Sequence, residues 1–269
     1  KNEVIKFIKT FSELSTGDAA IAGGKGASLG EMVRAGIPVP VGFVVLANAF
    51  GRFLARSGVG VEVAAKLKKV RLNDFDSVDK VSAEIRSLIE NTKFPEDLAR
   101  EILKDFSKLK TKFVAVRSSA TAEDSSVDSW AGELDSYLNT TGKNLLKNIR
   151  KCWASLFSPR AIFYRFEKKL HKSPVSVAVV IQKMIQSEIS GITFTVHPVT
   201  EDRNQLIIEA GYGLGEAIVG GKITPDTYVI NKSKVNGPPS KAIIDKNISE
   251  QKMMIVKSQK GTEEKLVPK

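Results

Sequence analysis

A lysine within a glycine-rich run is the first feature of the sequence that suggests chemistry. Lys25 lies in the segment GGKGASLG, residues 23–30. Glycines let backbone N–H groups approach a ligand closely, and the start of a helix favours anions. The lysine adds a point charge suited to phosphate, although the spacing is not that of a P-loop. The segment therefore indicates either an anion site or a glycine-rich turn with a solvated lysine.

A second cation, Arg117, follows the apolar run FVAV at residues 113–116 and opens the polar stretch RSSATAED at residues 117–124. An arginine at the end of a buried strand is costly unless it has a partner. Arg117 is therefore either held in a buried ion pair or offered to an anionic ligand through its fork of donors.

Three other segments have functional and structural interpretations. The loop DSWAGELDSYLN, residues 128–139, has small residues that could fold over phosphates, or it is an ordinary loop. The strand end IQKMI, residues 181–185, could form a slot for a flat base, although such a methionine is more often core. The segment EAGYGLGE, residues 209–216, has the wrong glycine intervals for a dinucleotide fingerprint and no helical crossover unit around it, so we reject that interpretation.

Composition limits the class of partner. The chain has 269 residues, of which 42% are hydrophobic, and 41 Lys+Arg against 30 Asp+Glu give a net charge of +11. That charge favours an anionic partner: a phosphorylated small molecule, an acidic membrane or nucleic acid. A basic nucleic-acid-binding module is the alternative of another class. Because only 7% of residues are aromatic and the lysines are dispersed, no nucleic-acid partner is expected.

Cysteine and histidine are too scarce for several kinds of site. Cys152 is the only cysteine, and His171 and His197 are the only histidines. An internal disulfide and a cysteine- or histidine-rich metal site are therefore excluded. Because no secretion signal or membrane-spanning stretch is visible, we expect a soluble, cytoplasmic protein with no membrane partner.

Hydrophobic periodicity predicts an α+β fold, with helices first and a sheet-rich second part. Strands are predicted near residues 4–8, 39–45, 113–116, 175–181, 192–196, 206–209 and 228–230, and helices at 27–35, between 47 and 110, and over 143–170.

Five segments of the chain occur in the same order in one known family. They are GKGASLGEM (24–32), VPVGF (39–43), VRSSATAED (116–124), GYGLGE (211–216) and TPD (224–226). In these segments the chain resembles the ATP-binding module of the phosphoenolpyruvate synthase and pyruvate phosphate dikinase family, which rifampin phosphotransferase shares. The resemblance implies an ATP-grasp fold of two lobes. Residues 1–182 would form the N-terminal lobe, with a helical excursion at about 143–173, and residues 183–269 the start of a truncated second lobe.

The resemblance also implies roles for individual residues. It assigns the ATP phosphates to Lys25 and Arg117, the loop over them to Gly132 and Ser136, and the adenine slot to Gln182 and the Met184 backbone. In that loop Glu133 replaces the family's usual glutamine, and this acid could either repel phosphates or help to hold magnesium. We interpret His197 as structural, so no catalytic residue is expected within the chain.

The reaction implied is that of pyruvate, water dikinase. A phosphoryl group would pass from ATP to a histidine on a separate domain of the same polypeptide, and from there to pyruvate bound by a further domain. Pyruvate phosphate dikinase and rifampin phosphotransferase are the alternatives within the family. Mg²⁺ is implied as a cofactor, with ligands expected beyond Lys269. The chain alone is therefore expected to bind ATP weakly and to turn over nothing, and an unprotected sheet edge predicts a tendency to form homodimers.

Overall fold

Antiparallel strand pairing organises both parts of the chain. The computed structural model describes residues 5–71, 73–121, 135–167, 176–258 and 261–268. The chain divides between Met184 and Ile185 into two compact units. Each unit combines strands with helices, so the fold is α+β, as predicted. None of the helices in these described ranges is long and apolar enough to cross a membrane.

The first unit is built on an antiparallel sheet with the order β1-β2-β5-β3-β4. Its strands are β1 (Ile8–Thr10), β2 (Gly42–Val45), β3 (Val114–Ala120), β4 (Ser136–Thr140) and β5 (Val177–Lys183). Its helices are α1 (Ala19–Arg34), α2 (Ala47–Ser57), α3 (Val59–Leu67), α4 (Phe75–Asn91), α5 (Glu96–Lys108), α6 (Gly142–Ala154) and α7 (Pro159–Glu167).

The central strand β5 explains how this unit is layered. All residues from Val177 to Ile181 are fully buried, which accounts for an unbroken apolar run rather than an alternating one. Val180 packs in a small cluster with residues of α1, whereas Val179 packs in the larger core formed with α2–α7. Trp153 lies in that larger core, with its ring 5.0 Å from Phe53. The sheet is thus covered by α1 on one face and by the other helices on the opposite face.

Several element boundaries differ from the sequence prediction, and the following three show why. The strand predicted at 113–116 continues to Ala120, because its ladder with β5 runs on through the polar residues. The helix predicted at 27–35 begins at Ala19, with a break at Gly23. The first strand begins at Ile8, where pairing with Val45 starts. Backbone hydrogen bonding, which does not depend on side-chain polarity, decides all three boundaries.

The second unit contains a four-stranded antiparallel sheet and a separate antiparallel strand pair. The sheet order is β6-β7-β8-β9, and β10 pairs with β11. The elements are β6 (Ile189–Phe194), β7 (Gln205–Tyr212), α8 (Glu216–Val219), β8 (Asp226–Asn231), α9 (Pro239–Ala242), β9 (Ile243–Asn247), β10 (Met253–Ser258) and β11 (Gly261–Leu266).

The glycine motif at 211–216 joins these two sheets of the second unit. Gly213 has φ 78° and bridges Ile255 in β10. A methyl carbon at Gly213 would lie 2.3 Å from the Ile255 carbonyl oxygen, so only glycine permits this approach. The Gln251 side chain adds to the junction, since it accepts a hydrogen bond from the Tyr212 N–H (3.1 Å) and donates to the Ala210 carbonyl (3.2 Å). The motif therefore forms a backbone junction between the four-stranded sheet and the β10–β11 pair.

Two helical glycines are predicted to respond oppositely to alanine. A methyl carbon at Gly30 would lie 2.6 Å from the Leu14 carbonyl oxygen, whereas Gly51 has no neighbour within 4 Å. We expect Gly30→Ala to destabilise the first unit by about 1–3 kcal/mol through overpacking. Gly51→Ala should stabilise it by roughly 0.5–1 kcal/mol through the lower entropy of the unfolded chain. Urea unfolding curves of the two variants test this, and equal shifts in the same direction would contradict the packing assigned to Gly30.

Candidate functional site

At Gly23, near its N-terminal end, the backbone of α1 lies in close contact with the backbone at the end of β3. Gly23 breaks α1 with φ 70° and ψ 167°, so a new helical segment begins at Gly24. A methyl carbon at Gly23 would lie 2.4 Å from the Ser119 carbonyl oxygen and 2.6 Å from that of Ala120. Only a glycine allows both the positive φ and this contact. The glycine-rich segment is therefore fixed against the polar half of β3.

Lys25 bridges the two elements. Its Nζ donates a hydrogen bond to the Ser118 carbonyl oxygen at 2.9 Å. Although the residue as a whole is exposed, burial of its ammonium group lowers the pKa of Lys25, and the nearby charge of Arg117 lowers it further. An ammonium group has three donors, so two remain for other acceptors.

Arg117 lies on the same face of the sheet as α1. It is directly opposite Val180 of β5, and Val180 packs against residues of α1. Within the residues that the structure describes, no carboxylate lies within 4.0 Å of the charged groups of Lys25 or Arg117. The structure thus brings the two predicted cations together. Among the residues it describes, no carboxylate pairs with either of them.

The predicted phosphate loop is described only in part. Ser136 opens β4 and is the direct cross-strand partner of Arg117. It is exposed, so its hydroxyl group is open to a ligand. Gly132 and Glu133 lie outside the described residues.

Gln182 lies on the same face, two residues beyond Val180 on β5. Its cross-strand partners are Ala115 and Gly42, and Ala115 is two residues from Arg117. Its side-chain Nε2 donates to the Pro40 carbonyl oxygen at 3.1 Å. That contact fixes the orientation of the side-chain amide.

Met184, which directly follows β5, is half-buried. Its backbone N–H donates to the Phe113 carbonyl oxygen at 3.1 Å. A base that bound here would therefore have to be recognised by other groups of this strand end, such as the Met184 carbonyl and side chain.

Sequence reasoning did not single out Ser119. Its side chain is fully buried and accepts a hydrogen bond from the Gly26 N–H at 3.2 Å. The signal was present: Ser119 is two residues from Arg117, and residues two apart in a strand share a face. It was missed because the strand was predicted to end before Arg117.

Cys152 lies in the larger core, on the face of the sheet opposite α1, and is unreactive at neutral pH. It is fully buried, with Sγ 3.9 Å from the Asp135 carbonyl oxygen. Burial raises the pKa of this thiol to about 12, so it is uncharged at neutral pH. Tyr137 likewise has a raised pKa because of burial and its hydrogen bond to Asp135. Neither group is a nucleophile or a base at neutral pH.

The second unit has a cavity of about 680 Å³ with a largely apolar lining that includes Ile189, Tyr212, Leu214 and Met254. Its size suits a small ligand. Its lining is mainly apolar and does not include Lys25 or Arg117. The described residues contain no group of three or more His, Cys, Asp or Glu that could hold a metal ion. A magnesium ion there would therefore have at most two such side chains, and it can be held by one or two carboxylates together with substrate phosphates.

A comparison with protein families decides which family this is. The family described as "Pyruvate phosphate dikinase, AMP/ATP-binding domain" matches residues 19–269. The chain belongs to this family. The match includes all six residues predicted to contact the nucleotide.

The curated relatives that this chain resembles are named phosphoenolpyruvate synthases. The chain is 44% identical over 268 residues to a probable phosphoenolpyruvate synthase of Methanocaldococcus jannaschii, covering 97% of this chain and 22% of that protein. It is 42% identical over 275 residues to one from Methanothermobacter thermautotrophicus, covering 99% and 39%. It is 37% identical over 292 residues to the phosphoenolpyruvate synthase of Pyrococcus furiosus, covering 94% and 35%. The chain thus spans between about a fifth and two fifths of the length of these relatives.

The coupling between the two cations can be measured. Arg117→Met should raise the pKa of Lys25 towards its ordinary value, because a neighbouring positive charge is removed while the burial remains. The matched control is Arg100→Met, which removes an exposed arginine from α5. NMR titration of isotope-labelled lysine side chains reads the pKa directly. A Lys25 pKa that does not change in Arg117→Met would show that the two groups are not coupled.

Proposed function

We propose that this chain is the nucleotide-binding part of a phosphoenolpyruvate synthase, with an ATP-grasp fold, and that ATP binds against the α1 face of the first sheet. The observation that carries the proposal is the meeting of Lys25 and Arg117, which are 92 positions apart in the sequence. Two like charges in a partly desolvated place are unfavourable unless an anion joins them. A triphosphate is such an anion, and the family is one of AMP/ATP-binding domains.

The arrangement along the sheet also suits a nucleotide. Arg117 is opposite Val180, Ala115 is opposite Gln182, and Met184 donates to Phe113 at the end of the ladder. Four residues of strand separate the level of Arg117 from that of Met184, which corresponds to about 13 Å. A ligand with an anionic tail and a flat base would have its tail at the cations. Its base would lie near Gln182 and the Met184 side chain, while Ser136 and Gly132 would contact the phosphates.

The phosphoryl acceptor belongs to the proposed larger enzyme. In this proposal, which follows the family resemblance, the γ-phosphoryl group passes to a histidine on another domain of a longer polypeptide and then to pyruvate. The relatives' name, phosphoenolpyruvate synthase, agrees with pyruvate as the final acceptor. His197 does not fit the carrier role, because its Nδ1 accepts from the backbone N–H groups of Val199 (3.2 Å) and Thr200 (3.3 Å) and shapes a turn. Magnesium would enter with ATP, and its protein ligands are proposed to lie outside the described residues.

Nucleotide titration of the purified chain tests the site. Isothermal calorimetry should show affinity rising from adenosine through AMP and ADP to ATP. Arg117→Ala or Lys25→Ala should weaken ATP binding roughly ten- to hundredfold, the size expected for losing a charge-assisted hydrogen bond. Adenosine binding should not change, because the base end is intact. Arg100→Ala, an exposed arginine on α5, is the matched control and should bind ATP like the unsubstituted chain.

Two results would contradict the proposal. Equal ATP affinity in Arg117→Ala and the unsubstituted chain would remove Arg117 from the site. Tight binding of a single-stranded oligonucleotide that ATP does not displace would favour the nucleic-acid alternative.

Homodimer formation is a separate part of the proposal. β6 and β9 are the edges of the four-stranded sheet, and within the described residues β9 pairs only with β8. Unpaired edges favour pairing with another chain, although Asp245 and Lys246 on β9 oppose it. We expect weak, concentration-dependent self-association in sedimentation velocity. A single monomeric species at high concentration would contradict this part alone.

A further inference from the structure

Ser119 provides a second side-chain contact between α1 and β3, in addition to that of Lys25. Its hydroxyl oxygen accepts a hydrogen bond from the Gly26 N–H, a residue 93 positions away in the sequence. The side chain is fully buried, so the hydroxyl group cannot exchange this bond for one to bulk water. The contact is thus fixed within the fold.

The position of this hydroxyl group corresponds to that of a helix cap. Because Gly23 has non-helical angles, it is the N-cap residue of the segment that begins at Gly24, and Gly26 is the third helical residue. An N-cap side chain normally accepts from the N–H of the second or third helical residue. Gly23 has no side chain, but the Ser119 Oγ lies 2.2 Å from the place where its Cβ would be. A hydroxyl group from β3 therefore occupies the space of the missing cap.

We infer that Ser119 is a positioning residue of the nucleotide site: by capping the glycine-rich helix from the neighbouring strand, it holds Lys25 where the phosphates bind. The inference rests on the proposed function. Lys25 is the second helical residue, adjacent to the capped Gly26, and its Nζ contacts the Ser118 carbonyl oxygen at 2.9 Å. Ser118 and Ser119, which are consecutive in β3, thus accept hydrogen bonds from Lys25 and Gly26, which are consecutive in α1.

The consequence concerns the phosphate end of the ligand. Without the Ser119 hydroxyl group, the Gly26 N–H loses its acceptor and the first turn after Gly23 loses one of the contacts that fix its position. Lys25 would then have to be ordered by the ligand itself, which lowers affinity for a nucleotide with phosphates. The base end is separated from this cap along the sheet, because Gln182 pairs with Ala115 whereas Ser119 pairs with Ala178. A capping role predicts a selective loss for ATP and none for adenosine.

The test compares ATP and adenosine binding to the full chain by calorimetry. Ser119→Ala should weaken ATP binding roughly tenfold, as expected for a lost cap, and leave adenosine binding unchanged. Ser82→Ala is the matched control: Ser82 is also buried and donates to the Phe157 carbonyl oxygen at 2.6 Å, but it lies in α4. It should lower the unfolding temperature without changing the ratio of ATP to adenosine affinity. Ser119→Cys, similar in volume and a weak acceptor, replaces the alanine variant if that variant does not fold.

A double-mutant cycle with Lys25→Ala separates positioning from general destabilisation. If Ser119 acts through Lys25, Ser119→Ala should cause little further loss of ATP affinity in the Lys25→Ala background. Fully additive losses, or equal losses for ATP and adenosine, would overturn the inference. If Ser119→Ala bound ATP as tightly as the unsubstituted chain, this inference would be overturned and the proposed function would stand. No ATP binding by the unsubstituted chain would contradict the proposed function and, with it, this inference.

Discussion

The contact between the backbone of α1 at Gly23 and the end of β3 is the constraint on which the rest of the first unit depends. It requires a residue without a side chain, because a methyl carbon there would overlap two carbonyl groups of β3. Once the contact is made, Lys25 reaches the Ser118 carbonyl and lies near Arg117. A backbone feature thus places two cations that are far apart in the sequence.

The same contact has an electrostatic cost. Burial and the charge of Arg117 both lower the pKa of Lys25, so the charged form of this lysine is less stable than it would be in water. Some other lysines of this unit are paired with acids, as in Lys9 with Asp18 and Lys66 with Glu84. A fold selected for stability alone has no reason to keep two cations together at the middle of β3 with no carboxylate beside them among the described residues. Such local conflict is typical of a binding site, where the ligand relieves it.

The sequence was sufficient to predict the α+β fold class, the helical region between residues 47 and 110 and the buried runs of β3 and β5. It was insufficient where backbone geometry overrides side-chain pattern. The polar residues after Val116 gave no strand signal, yet their backbone completes the ladder with β5. The cap from Ser119 joins residues 93 positions apart, and no local periodicity carries such information. The role of Gly213 was hidden for the same reason, since its partner Ile255 is on another strand pair.

The described site explains binding better than it explains phosphoryl transfer. Cations that contact the phosphates before and during a reaction equally well lower the free energy of both states, and such uniform binding does not raise the rate. A rate increase requires donors or metal ions that contact the charge developing between donor and acceptor. The described residues include no acidic cluster that could hold a metal ion at the phosphates. In the proposed enzyme, Lys25 and Arg117 would hold the phosphates of ATP, and selective stabilisation of the transition state would require further groups.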